Sequence, residues 1–517
     1  MGRPASPRVL ALAVGSVVTF ALAGCGDDGA DFDVSQQIGP DPVLPEPTSE
    51  LFPDMRIAEV VGWREGEAPK VPEGLSVSAY ATKLVNPRTL HTLPNGDVLV
   101  VQSREPPGKP TTRPKDLIRG WIMSMARGGG GPKGESNLIT LLRDTNRDGQ
   151  VDERNNLLTG LNSPFGLAWH GGTLYVAAAD AILAYPYELG QTAISGTPRV
   201  LTPLPGGPIN HHWTKDLALS PDGRYLYASV GSNSNVAEHG LESEKGRAAI
   251  WQVDRETGAA RVFASGLRNP NGLIFHPQTG VLWTVVNERD ELGPNLVPDY
   301  MTSVQEGGFY GWPWSYFGDH VDERVHPPRP NMVEKAIAPD YALSSHVAAL
   351  GLVFSNGSAL PEPFANGAFI GEHGSWNRSA FNGYKVVYVP FENGRPAGKA
   401  QDVVTGFIEG DEARGRPVGV AIDGTGALLV ADDAGNTVWR VAAADGSVTP
   451  RPIDTDRQSG DATTSGASPD ADATEQSIQA GPSNDTEPEK PQTGDPLSPG
   501  PSQMEIAPAV LPREAVQ

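Results

Sequence analysis

The sequence predicts an all-β fold, a six-bladed β-propeller with a short helical insertion and disordered N- and C-terminal segments. Three observations lead there. A segment of pattern Gly-Leu-x-x-Pro-x-Gly-Leu-x-aromatic recurs along the chain. Each copy is followed by a turn and a second apolar run. Glycine (60) and proline (48) are both abundant, as a turn-dense β protein requires.

The clearest copy occupies residues 265–275, and residues 160–169 and 415–422 repeat it. Looser copies lie at 86–90, 215–219 and 349–354. The copies are roughly 50 to 80 residues apart, the spacing of a repeat architecture. Each is completed by a turn. Pro94-Asn95-Gly96-Asp97 leads into residues 98–101, Gly171-Gly172 into 173–176, and Pro221-Asp222-Gly223 into 225–228. Pro277-Gln278-Thr279-Gly280, Asn366-Gly367 and Gly424-Thr425-Gly426 do the same for the later copies. Short β-branched and aromatic runs flanking such turns are hairpins.

In chain order, Arg3 and Arg8 precede an apolar run over 9–23 that ends in Leu22-Ala23-Gly24-Cys25, with Cys25 the one cysteine of the chain. The run is short for a membrane span and fits a signal segment. Its end resembles a bacterial lipobox, which implies export and a lipid anchor at Cys25 on the cell envelope, facing the periplasm or the cell surface. A chance cysteine at an ordinary cleavage site is the alternative. Residues 26–72 read as a Pro/Asp-rich tether, of which 39–63 could pack on the β domain.

The β domain is expected over 73–441, interrupted by an insertion at 103–159. The insertion is locally basic, and Ile118, Trp121, Ile122 and Met125 have helical spacing. A packing helix with a solvated face and a lid over an anionic ligand both fit. Asp144, Asn146, Asp148 and Asp152, with Gly149 at the sixth position, have the spacing of a calcium loop. Asn155 stands where an EF-hand needs a glutamate, so the alternatives are a structural calcium loop and a metal-free turn. Residues 442–517 are Ser/Thr/Pro/Asp-rich and read as a disordered acidic tail. From Arg451 onward the chain has four basic and twelve acidic residues. The net charge of −22 argues against nucleic acid as a partner.

No dinucleotide fingerprint, phosphate loop, His-Glu-x-x-His or Gly-x-Ser-x-Gly elbow occurs, which disfavours nicotinamide enzymes, zinc proteases and serine hydrolases. What remains is a ring of polar residues. In a hairpin, the start of the first strand and the end of the second share one face. Aligning the copies puts Asn162, His212 and Arg268 at one equivalent position, and Ser163, Trp213, Asn269 and Arg416 at the next. His212 suits a general base. Arg268 with Asn269, and Arg414 with Arg416, offer forked donors for a ligand with several carboxylates, unless they form salt bridges between blades. The second-strand ends supply Asn287-Glu288-Arg289-Asp290 and Glu372-His373-Gly374-Ser375-Trp376-Asn377-Arg378.

Over roughly 39–441 the chain resembles the glucose/sorbosone dehydrogenase family, which uses pyrroloquinoline quinone (PQQ) on a six-bladed propeller. The sorbosone-dehydrogenase-like branch is the nearer. Residues 209–216, 266–272, 287–290, 307–313, 371–378 and 413–419 carry the likeness. The resemblance implies that His212 is the general base and that Arg268 and Asn269 contact the cofactor, with Arg268 stabilising charge on the reduced quinone. It also implies that Arg414 and Arg416 bind cofactor carboxylates. Asn162, His373, Trp376 and Arg378 stand where the glucose branch has other cofactor-binding residues. A calcium ion held near Glu288, by the backbone of Arg289 and Asp290, is implied as well, although the family's Gly-Pro is displaced to Gly293-Pro294. The implied function is oxidation of an aldose or sorbosone at its anomeric or aldehyde carbon, with electrons passed to an external quinone or cytochrome. A calcium-dependent propeller lactonase and a non-enzymatic propeller binding glycan or protein are the alternatives.

Overall fold

The apolar runs pair into six four-stranded antiparallel sheets, one for each copy of the repeat. In this computed structural model the described residues are 32–48, 55–107, 134–356 and 358–445. Cys25, the helical spacing at 118–125 and the tail from 446 onward lie outside them.

Sheet 1 comprises Pro87–Thr92, Val98–Gln102, Leu138–Arg143 and Glu153–Leu158. Sheet 2 comprises Leu167–His170, Thr173–Ala177, Ala181–Pro186 and Arg199–Pro203. Sheet 3 is Leu217–Leu219, Tyr225–Val230, Ala249–Asp254 and Ala260–Ser265. Sheet 4 is Asn269–Phe275, Leu282–Asn287, Pro298–Ser303 and Tyr341–Ser345, with Ile38–Gly39 added at its edge. Sheet 5 is Ala349–Phe354, Gly367–Glu372, Lys385–Glu392 and Gln401–Val404. Sheet 6 is Pro417–Ile422, Leu428–Asp432 and Thr437–Ala443, completed by Leu75–Ala81 from the other end of the domain. Pairing the first strand with the last sheet ties the two ends of the domain together.

Two sequence-based boundaries change. The segment read as an insertion contributes the two outer strands of sheet 1, because Leu138–Arg143 is apolar and buried along its length up to Arg143. In the segment read as a tether, the 39–63 part that could pack does so, with Glu59–Val60 paired in parallel to Glu412–Ala413, and the packing starts earlier, at the fully buried Gln37. Among the described residues the one α-helix is Pro330–Val333.

Six apolar clusters fill the interfaces between successive sheets. Leu99, Val101 and Leu141 meet Leu167 and Leu174 between sheets 1 and 2. Ala168 and Tyr175 meet Leu217 and Leu226 between sheets 2 and 3. Tyr227 and Ile250 meet Leu273 and Tyr300 between sheets 3 and 4. The series continues through Trp283 against Phe354 and Phe391, then Phe369 against Val430 and Trp439. It returns to sheet 1 where Leu429 and Ala431 meet Leu90 and Val100. The sheets thus follow one another in a cycle, each burying both faces.

The glycine that recurs in the repeat has a physical cause. At Gly166 a Cβ would collide with the backbone of Asp216 and Leu217, at Gly351 with that of Val418, and at Gly419 with that of Arg88 and Thr89. Neighbouring first strands approach too closely there for any side chain. They enclose a cavity of about 580 Å³ lined by residues from the first strand of every sheet.

Candidate active site at one end of the central cavity

Strand register decides what meets at the mouth. Asn269 pairs with Asn287, Ala349 with Glu372, and Pro417 with Asp432. The residues just before each first strand therefore lie beside those just after each second strand, as the repeat predicts.

His212 is half-buried on the loop that enters sheet 3. Its Nδ1 lies 2.9 Å from the carbonyl oxygen of Ser232 and 3.0 Å from that residue's Oγ. A carbonyl can only accept, so Nδ1 carries the proton and Nε2 keeps its lone pair. Burial, then the charge of Arg268, His211 and Arg247, holds the ring well below the usual histidine range. Gly231 permits this placement, since a Cβ there would strike both His212 and Asn269.

Arg268 and Asn269 are both buried beside it. The guanidinium of Arg268 donates to the carbonyls of Asn235 (3.3 Å), Asn287 (3.3 Å) and Glu288 (2.5 Å). It also donates to Asn235 Oδ1 (2.9 Å) and Asp290 Oδ2 (3.2 Å). These five bonds match its five hydrogens, so Arg268 braces the 287–290 corner and acts on the site through its charge. Asn269 Oδ1 is buried with no hydrogen-bond partner among the described residues.

Across the mouth, His373 Nε2 lies 3.0 Å from Asp433 Oδ2, and Arg88 pairs with the same carboxylate. Burial alone would raise the Asp433 carboxyl, but His373 and Arg88 hold it below the usual range. Arg416 stands beside them. Its amide donates to Asp432 Oδ1 at 2.8 Å, its guanidinium lies over the Tyr384 ring at 5.4 Å, and its buried Nε has no partner. The guanidinium of Arg378 donates to Ser345 Oγ at 2.6 Å and to the Ala380 carbonyl at 3.1 Å. Burial lowers it to about 10. Among the described residues, neither Arg378 nor Arg416 forms an ion pair with a carboxylate.

Arg414 goes elsewhere. It pairs with Glu67 and Glu409, both at 2.5 Å. The amides of Arg414 and Gly415 both point to the Phe407 carbonyl, and this bend separates Arg414 from Arg416. Asn162 is exposed, and its carbonyl accepts from the Ala179 amide at 3.0 Å. Trp376 gives its carbonyl to the Arg56 amide at 3.1 Å.

The predicted metal residues divide. Asp290, the Glu288 carbonyl and the Asn287 carbonyl converge on one cation, the Arg268 guanidinium. The Arg289 side chain is fully buried and paired with Glu288 (3.0 Å) and Asp322 (3.1 Å). The Asp290 carbonyl accepts from Asn235 at 2.9 Å and Arg324 at 3.1 Å. In the loop at 144–152, Asp144 accepts from the Gly149 amide (2.7 Å), Asn146 from the Asp148 amide (3.0 Å), Asp148 from the Gln150 amide (2.8 Å) and Asp152 from the Thr145 amide (2.7 Å). Those oxygens cap their own turn, and among the described residues no group of three His, Cys, Asp or Glu side chains is placed to hold a metal ion.

Sequence reasoning passed over Asp433, Arg88 and His346. Asp433 and Arg88 occupy repeat-equivalent positions and were within its reach. His346, buried with Nδ1 3.6 Å from Asp290 Oδ1, has no counterpart in the repeat.

A cyclic array of six antiparallel sheets, with cations and an imidazole at one mouth, defines the class of protein. The chain belongs to the TrAA12-like family, whose model matches residues 136–303 and 331–444. It is 28% identical over 292 residues to an uncharacterized protein of Borreliella burgdorferi, covering 54% of this chain and 76% of that one. A pyrroloquinoline quinone-dependent sugar dehydrogenase of Hypocrea jecorina is 26% identical over 185 residues, covering 31% of this chain and 42% of the relative. Among solved structures, a calcium structure of a Trichoderma reesei carbohydrate-active enzyme of family AA12 matches with TM-score 0.59 and 20% identity, over 73% of this chain and 97% of that one. The holo form of the pyranose dehydrogenase PQQ domain of Coprinopsis cinerea matches with TM-score 0.58 and 20% identity, over 75% and 100%. These structures share the fold.

Proposed function

We propose that the chain is a PQQ-dependent sugar dehydrogenase on a six-bladed propeller, oxidising the anomeric or aldehyde carbon of an aldose or aldosone. The observation that carries this reading is the pair Arg378 and Arg416. Burying an arginine without a counter-ion costs several kcal/mol. Arg378 is buried and Arg416 half-buried with its Nε unpartnered, and two such cations at one mouth fit the carboxylates of an anionic cofactor. The quinone dehydrogenases among the relatives support the same cofactor.

A bound quinone supplies a two-electron acceptor. Sugar oxidation at such a carbon releases one hydride and one hydroxyl proton. His212 Nε2 takes the proton, because Nδ1 is committed to Ser232 and the ring is held neutral. Arg268 and Asn269 line the same side of the mouth, and the fixed charge of Arg268 favours negative charge developing nearby. For calcium, the oxygens at hand are those of the 287–290 corner, the Asn287 and Glu288 carbonyls and the Asp290 carboxylate, and an ion there would have to displace the Arg268 guanidinium that holds all three. The electron acceptor is an external quinone or cytochrome. The chain is anchored through Cys25 at the cell envelope.

The test is reconstitution with PQQ and calcium followed by sugar-dependent dye reduction. His212→Ala should lose at least about a hundredfold in kcat while retaining the cofactor. Dye reduction that survives in His212→Ala would remove the base assignment.

A further inference from the structure

Two buried cations lie beneath His212, and the proposed chemistry uses neither. Lys215 is fully buried on the approach to sheet 3. Its Nζ lies 3.1 Å from the Trp213 carbonyl, 3.3 Å from the His212 carbonyl and 3.5 Å from Asn210 Oδ1. Arg247, 6% exposed, reaches the same spot from the loop before Ala249–Asp254. Its Nη2 donates to Asn210 Oδ1 at 2.8 Å and to the His212 carbonyl at 3.1 Å. Its Nη1 donates to the Pro205 carbonyl at 2.7 Å and its Nε to the Gly231 carbonyl at 3.0 Å. Among the described residues neither forms an ion pair with a carboxylate. The nearest acids act at a distance: Asp180 on Lys215 and Glu244 on Arg247. Glu244 accepts from the Asn233 amide at 2.7 Å and from the Ser234 hydroxyl.

We infer that Lys215 and Arg247 are positioning residues, which pin the peptide of His212 and set the charge under its ring so that Nε2 stays a free proton acceptor. This rests on the reading of His212 as the base. Two cations share the Asn210 amide oxygen and the His212 carbonyl, so their desolvation is offset only where the loop keeps this one conformation. Burial and the Arg247 charge push the Lys215 amine well below its ordinary value, and the three oxygen acceptors around Nζ, matching the three hydrogens of an ammonium where a neutral amine has only two, oppose that push. The groups around the imidazole are therefore Arg268 from sheet 4, His211 from its own loop and Ser232 from the end of the second strand of sheet 3, with Lys215 and Arg247 on the backbone carbonyl of His212 itself. Every charge among them is positive, so each disfavours a lasting imidazolium. The base can take a proton during turnover and release it promptly.

The test uses full-length Lys215→Gln, Arg247→Gln and Arg247→Lys, with two readouts. The first is an NMR titration of the His212 ring in cofactor-free protein, assigned by its absence in His212→Asn. The second is the pH profile of kcat/KM with quinone and calcium bound. Each Gln variant keeps donors but removes charge. It should raise the ring pKa by about one unit and move the acidic limb of the profile up by the same amount. Arg247→Lys keeps the charge and loses the fork, so it should leave the titration in place and lower kcat by about tenfold. Loss of thermal stability in both Gln variants with an unmoved His212 titration would mean that the two cations serve only to hold the loop together, and would overturn the inference. If one Gln variant fails to fold, the other and Arg247→Lys still decide. Absence of sugar oxidation in the wild type would sink the proposed function but leave the NMR result to stand or fall alone.

Discussion

Glu372 ends the second strand of sheet 5 with its carboxyl buried and Oε2 unpartnered. Burial pushes it up to about 8. An acid whose folded pKa is raised binds a proton that the unfolded chain has already released. Its contribution is full below the unfolded value near 4.5 and is lost as pH rises toward 8. Glu372→Gln should therefore flatten part of the fall in Tm between those limits, measured by thermal melts across pH. At this scale the sequence was informative where the repeat aligned residues. His212, Arg268, Asn269, His373, Arg378 and Arg416 all come to one mouth because strand register fixes them there. It was uninformative for Arg414, because the bend at Gly415 depends on the Phe407 carbonyl, a backbone contact that no residue pattern marks. It also could not foresee that Arg268 would spend all five hydrogens inside the protein, since Asn235 belongs to another sheet.

At the scale of elements, the N-terminal segment behaves as a strap. Gln37 donates to the Asn295 carbonyl at 2.5 Å and accepts from the Ser345 amide at 3.2 Å. The Arg56 amide reaches Trp376, and the Trp63 indole donates to Asp432 Oδ2 at 2.7 Å. Asp432 in turn fixes the amide of Arg416, so the strap supports the loops that carry the mouth arginines. Trp63→Phe should cost about 1 kcal/mol in denaturant unfolding and weaken quinone binding, read by cofactor absorbance titration. Unchanged binding with lowered stability would confine the strap to a structural role. Composition suggested a tether, of which 39–63 could pack, because the segment is rich in Asp and Pro. The pairing partners that order it lie some 350 residues away, in contacts such as Arg56 with Asp411, and local patterning carries no trace of them.

At the largest scale the β domain is a cycle of sheets whose two ends are joined by one strand pair, Leu75–Ala81 on Thr437–Ala443. The number of sheets was legible because every copy is followed by a turn and a second apolar run, and four of the six, at Gly166, Gly272, Gly351 and Gly419, carry a glycine that a neighbouring strand requires. The outer strands of sheet 1 were not, since a long basic stretch separates them from their hairpin. Two predictions belong here. Chelation with EDTA should abolish dye reduction and calcium should restore it, while His212→Ala stays inactive in both conditions. Cys25→Ser should release the protein from the membrane fraction into the soluble one.

The central claim is that cations at the mouth await a polyanionic quinone. Titrating PQQ into the calcium-loaded protein and reading Kd from its absorbance tests it most directly. Arg416→Gln and Arg378→Gln should each weaken binding by at least about tenfold, and Arg414→Gln, which removes a pair with Glu67 and Glu409, by less than about twofold. Equal losses in all three, or none in Arg378→Gln and Arg416→Gln, would contradict it.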